Sequence, residues 1–91
     1  MVYLISKYSK DRAKELGVQI KPSSIKNKKI DVYLDGVKVA SIGDVRYKDY
    51  PMYLQQDKQL AESRRKLYWI RHKRDINVPN SNGFYSAFIL W

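Results

Sequence analysis

Apolar positions along this chain change their spacing from one stretch to the next, and the spacing predicts the elements. The opening run Val2-Tyr3-Leu4-Ile5 predicts a first strand and is too short for a secretory hydrophobic region. Ala13 and Leu16 then share one face of a short helix over residues 10–16. Ser9 is its expected N-cap, and Gly17 is the left-handed residue that stops it. Val18 and Ile20 alternate with polar neighbours up to Pro22, which completes a β-α-β start. Residues 23–29 are polar and rich in lysine (Lys26, Lys28, Lys29), so they read as an exposed loop able to contact anions.

The runs Ile30-Asp31-Val32-Tyr33-Leu34 and Val37-Lys38-Val39-Ala40-Ser41-Ile42 flank Asp35-Gly36. Both turn residues tolerate positive φ, so a two-residue type I′ turn and a β-hairpin are expected. Val32 and Leu34 should share a face with Val37 and Val39 or with their alternates, because a period of two fixes facing but not register. Residues 43–50 form a linker of mixed basic and aromatic character. Pro51, after Asp49 or Tyr50 as cap, opens a segment compatible with helix to about Lys73, striped by Tyr53, Leu60, Leu67 and Ile70 with Ala61 beside them. Gln55-Gln56-Asp57 interrupts that stripe, and Asp57 is placed to cap a second helix. Residues 76–82 are loop, and residues 84–91 form an apolar element that must dock on the core to escape aggregation.

The expected fold class is α+β. A single domain over residues 1–91 would hold a β-hairpin and short preceding strands packed on a long basic helix, with an apolar helix at the C-terminal end. The hairpin and the face of Leu60, Leu67 and Ile70 offer the largest apolar surfaces, so they are expected to pack together.

Composition narrows the function. Lys plus Arg number 18 against 9 Asp plus Glu, a net charge of +9 that favours a polyanionic partner: nucleic acid, an acidic protein or a membrane surface. No apolar run approaches the roughly 18 residues of a membrane span, so a soluble, non-secreted protein without membrane association is expected. Cysteine is absent, which excludes disulfides, a thiol nucleophile and a Cys-based metal site. No glycine-rich phosphate loop, nucleophile elbow or pair of metal-binding carboxylates occurs, so the chain reads as a non-enzyme without a cofactor. His72, the single histidine, has too few companions for a metal site and suits a capping or ion-pairing role near a helix end.

The tract from Arg64 to Arg74 alternates cations with large rings: Arg64, Arg65, Lys66, Tyr68, Trp69, Arg71, His72, Lys73 and Arg74. Cations neutralise phosphates and release counterions, while Tyr and Trp faces stack on bases. On a helix, Arg64, Tyr68 and Arg71 share one face, and Arg65, Trp69 and His72 share its neighbour. The same tract also reads as an amphipathic helix with Leu67 and Ile70 on the core and its charges in water. Lys26, Lys28 and Lys29 would form a second phosphate contact. Trp69 has two readings, packed beneath the last segment or exposed to a ligand.

Further residues extend the picture: Ser41-Ile42-Gly43, Tyr47-Lys48-Asp49-Tyr50, Arg64-Arg65, Tyr68-Trp69-Ile70-Arg71-His72-Lys73, Gly83-Phe84-Tyr85-Ser86 and Ile89-Leu90-Trp91. In this order they resemble an uncharacterised family of small basic proteins encoded by large double-stranded DNA viruses. That resemblance implies a viral origin and a place in the virion or in the infected cell's cytoplasm or nucleus. It transfers no catalytic residue. A small basic viral domain has two expected uses. One is sequence-independent binding of nucleic acid, DNA before RNA; the other is a minor structural role beside viral capsid proteins.

Overall fold

Ser6 opens the first helix in the computed structural model, which describes residues 3–91. Helix α1 spans Lys7–Leu16, and the Ser6 hydroxyl accepts the Ser9 N–H at 3.1 Å. Ser9, the expected cap, is instead fully buried inside the first turn and donates its hydroxyl to the Ile89 carbonyl at 2.8 Å. Gly17 ends the helix at φ 74°, as its position predicts. Residues 3–6 take no strand conformation, and Val2 of the expected strand lies outside the described residues. Leu4 is exposed while Tyr3 and Ile5 lie against the core, so this run packs on the core without joining the sheet.

The sheet is an antiparallel meander with the order β1-β2-β3: Gln19–Pro22, Ile30–Leu34 and Val37–Ile42. It replaces the expected β-α-β start, since α1 precedes the first strand and β1 pairs antiparallel with β2. Asp35 and Gly36 turn the hairpin at φ 52° and 80°, the left-handed pair a type I′ turn requires. Past the turn, the ladder pairs Tyr33 with Lys38 but Val32 with Ala40, leaving Val39 as the extra residue of a β-bulge. The bulge replaces Val39 by Ala40 opposite Val32 and sets Ile42 opposite Ile30, so Ile30, Val32, Ala40 and Ile42 form one buried face. The other face carries Asp31, which is buried and accepts hydrogen bonds from Ser23 and Ser41 at 2.6 and 2.7 Å.

Helix α2 (Tyr50–Gln56) begins at Asp49, whose carboxylate accepts the Met52 N–H; α3 (Lys58–Arg71) begins at Asp57, whose carboxylate accepts the Gln59 N–H. The break at Asp57 is therefore real, and the helix expected to run on to Lys73 is two helices. A single turn, α4 (Lys73–Ile76), follows His72, and α5 (Asn82–Leu90) is capped by Ser81. Together these elements make an α+β fold.

The core joins the buried sheet face to α1 and α5 through Ala13, Val18, Tyr85, Ile89 and Leu90. The expected packing of the hairpin on α3 is not found. On α3 only Ala61 is buried, while Leu60, Leu67 and Ile70 are 36, 49 and 64 % exposed. The physical reason is composition: α5 is apolar on most of its circumference and can bury against the sheet on one side and α3 on the other. On α3, Leu67 follows Lys66 and Ile70 precedes Arg71, long cations that keep this face near water. Ser9 and Arg12 finish the arrangement by donating to the Ile89 and Phe88 carbonyls, both at 2.8 Å, in the last turn of α5 where no intrahelical donor remains.

Candidate functional site

Helical spacing puts Arg64, Leu67, Tyr68 and Arg71 on one side of α3, and the tertiary fold turns that side toward the end of α5. A cleft of about 540 Å³ opens there. Helix α3 and its C-terminal cap contribute Arg64, Tyr68, Arg71 and His72, while the end of α5 contributes Ser86, Leu90 and Trp91. The stretch leading into α2 adds Asp44, Tyr47 and Lys48, and α2 itself adds Tyr53. Gly43 is required at its edge, because with φ 77° a Cβ there would meet Leu90 at 2.8 Å and Lys29 at 2.9 Å.

The rings form an ordered column. Tyr68 stacks on Trp91 with centroids 4.5 Å apart and planes 6° apart, and on its other side His72 lies at 4.3 Å. The Tyr68 hydroxyl lies 3.0 Å from the Ser86 hydroxyl, which pins α3 to α5. Desolvation raises the Tyr68 phenol above its ordinary range, so the group stays neutral and serves as a donor, not as a base. Tyr53 lies tilted 6.2 Å from Trp91 and carries two cations over its ring, Lys48 and Arg64, each at 5.8 Å.

Charge in the cleft is predominantly positive. Among the described residues, Lys48, Arg64 and Arg71 take part in no ion pair. The cleft's carboxylate, Asp44, is matched by Arg46 in a forked pair at 3.0 and 2.7 Å. That hydrogen bonding holds its carboxyl at about 2, so it is ionised and already satisfied at neutral pH. His72 Nδ1 sits 3.4 Å from Asp75 Oδ2, the near-terminal pairing its position predicts.

The residues expected to bind therefore divide. Arg64, Tyr68, Arg71 and His72 come together. Spacing places His72 on the neighbouring face with Arg65 and Trp69, but it is also four residues beyond Tyr68, and the ring stack draws it to that side. Arg65 turns away and lies over the Tyr50 ring at 5.0 Å, beside the Tyr50 hydroxyl that donates to Glu62. Trp69 packs edge-on against Phe88 at 5.3 Å, and among the described residues its buried indole N–H has no hydrogen-bond partner. Lys73 and Arg74 stand exposed on α4, and Lys26 and Lys28 stand exposed in their loop, outside the cleft lining.

Lys29 departs most from expectation. Its side chain is 3 % exposed and donates to Asp49 at 2.9 Å, with the Tyr3 hydroxyl on the same carboxylate oxygen. It reaches the base of the cleft as half of a buried ion pair, so its charge is matched by Asp49 before any phosphate arrives. Tyr47, Lys48, Tyr53 and Trp91 were not singled out as binding residues. The mixed basic and aromatic character of residues 43–50 is a signal for the first two, whereas nothing in the apolar run that holds Trp91 marks it as a binding residue.

The arrangement offers unpaired cations beside flat rings. Among the described residues no group of three or more His, Cys, Asp or Glu side chains is placed to hold a metal ion, and no helix is long and apolar enough to cross a membrane. No protein-family model, curated protein or solved structure matches the chain.

Proposed function

We propose that this protein is a non-enzymatic nucleic-acid-binding protein of viral origin, with little sequence preference and with DNA favoured over RNA. One observation carries the reading: Lys48, Arg64 and Arg71, which form no ion pair among the described residues, converge on a cleft lined with aromatic rings. Cations of this kind bind phosphates at the expense of condensed counterions, and the rings offer faces to bases without selecting among them. Lys73, Arg74, Lys26 and Lys28 widen the positive surface around the cleft and add to long-range attraction.

Titration of labelled DNA across a salt series tests the proposal. With about four phosphate contacts, the logarithm of affinity should fall against the logarithm of salt with a slope of about −3 to −4. Replacing both Arg64 and Arg71 by Gln should flatten the slope by about two units and leave the melting temperature nearly unchanged, because both side chains are exposed. Absence of salt-sensitive binding to DNA or RNA at micromolar protein would reject the reading.

One observation favours a second use, as a minor structural protein of a virion: Leu67 and Ile70 stand 49 and 64 % exposed on α3 beside arginines. Apolar side chains rimmed by Arg suit a protein interface, and capsid proteins would be the partner. A stoichiometric place in purified particles would support it.

A further inference from the structure

We infer that the cleft takes a single strand, DNA or RNA, and that Tyr47 stacks on one of its bases; this rests on the nucleic-acid reading above. The rings decide the strandedness. Tyr68 and Trp91 are half-buried, stacked on one another and recessed between α3 and the end of α5, whereas Arg71 and Lys48 are exposed. A duplex presents phosphates outward and keeps its bases stacked inside, so it reaches the rim cations and leaves the rings unused. A single strand can turn a base onto Tyr47 at the mouth of the cleft while its phosphates stay on the rim cations, so that both kinds of group meet what the cleft leaves free. The cleft volume, about 540 Å³, falls in the roughly 300–1,000 Å³ range of sites that enclose small planar ligands, and is far too small to admit a duplex.

Tyr47 is the ring still available. It lines the cleft with 69 % of its surface exposed, and among the described residues it packs against no other ring and its hydroxyl makes no hydrogen bond. Its backbone is nonetheless fixed: the Tyr47 N–H donates to the Asp44 carbonyl at 3.0 Å, in a turn that Arg46 braces through its fork on Asp44. An exposed phenol on a braced turn, beside unpaired cations, has its stacking face free for a base. The other rings of the cleft already give faces to one another or to cations.

Fluorescence anisotropy with the full chain tests this, using labelled twelve-nucleotide dT and U strands and a twelve-base-pair DNA duplex at one fixed low salt. The expected result is tighter binding of a single strand than of the duplex by about tenfold or more, with the dT and U arms showing which sugar is preferred. Tyr47→Ala should weaken single-strand binding by roughly 5- to 100-fold, the range of one base stack. It should leave duplex affinity within about twofold, and Tyr47→Phe should retain single-strand binding because the ring carries the contact. Duplex affinity equal to or above that of both single strands would overturn the inference and leave nucleic-acid binding standing, as would an equal loss for strand and duplex in Tyr47→Ala. No binding of any of the probes would remove both readings together.

Discussion

Helices α5 and α3 meet through a few side chains, Trp69 on Phe88 and Tyr68 on Ser86, and are of opposite build. In α5 the buried residues Tyr85, Ala87, Ile89 and Leu90 recur on several sides, and Tyr85, Ile89 and Leu90 join the apolar core with the sheet and α1. The pair α2 and α3 buries little of its own: Tyr50, Pro51 and Ala61. It is held to the rest of the molecule by the aromatic contacts Trp69 to Phe88 and Tyr68 to Trp91, and by a polar joint at the base of α2, where Asp49 receives Lys29 and Tyr3. One helix is fixed by removing apolar area from water, the other by stacking and a buried charge pair. The second mode leaves a helix face free, and the cleft is built on that face. Having apolar residues at helical spacing did not suffice to put α3 in the core, because a neighbour with more apolar surface was available.

The polar joint gives the largest expected effect. Asp49→Ala removes the partner of a lysine buried to 3 % exposure and leaves it facing the Met52 sulfur, 3.9 Å away, and the Tyr3 ring, 5.2 Å from its centroid. Losing the carboxylate partner of a buried lysine should cost about 3–5 kcal/mol, with the lost helix cap included in the loss. Chemical denaturation followed by far-ultraviolet circular dichroism measures it. A loss below about 1 kcal/mol would mean that stacking alone holds the α2 and α3 pair.

Next in size is the contrast between the helices themselves. Ile89 is fully buried in α5, and Ile89→Ala should cost about 2–5 kcal/mol. Leu67, 49 % exposed on α3, should cost less than about 1 kcal/mol on the same change. Equal losses in thermal melts would show that α3 contributes to the core as its hydrophobic spacing first suggests.

That spacing shows where the sequence was legible and where it was not. Asp35-Gly36, Gly17, Pro51 and Asp57 each announce a local conformation through their own chemistry, and each is found in the expected role. The bulge at Val39 was written in the sequence as a change of phase, since Val37 and Val39 alternate on odd positions while Ala40 and Ile42 fall on even ones. A period-two reading takes the strand as one run and misses the step. Lys29 looked like the lysines before it; its burial depends on Asp49 and Tyr3, twenty or more residues away in the chain. The cleft was half legible for the same reason. Arg64, Tyr68 and Arg71 follow from spacing within one helix, but the approach of Trp91, Tyr47 and Tyr53 is a property of the packed fold.

The smallest effect separates the polar joint from the apolar core by pH. Burial, aided by the Asp49 carboxylate that accepts its hydrogen bond, pushes the Tyr3 phenol well above its ordinary value near 10. The folded state therefore holds this proton more tightly than the unfolded chain does. Its contribution to stability is fully present below about pH 10 and is lost as pH rises beyond it, where the unfolded chain releases the proton and the folded chain retains it. Tyr3→Phe should lower stability at pH 7 by about 0.5–1.5 kcal/mol through the lost hydrogen bond, and the gap from the unaltered protein should narrow between pH 10 and 11. Urea midpoints for both proteins at pH 7, 9, 10 and 11 measure it. The comparison cancels the titration of the other tyrosines and the lysines, which both proteins share, so a gap that stays constant over the series would place Tyr3 outside the joint.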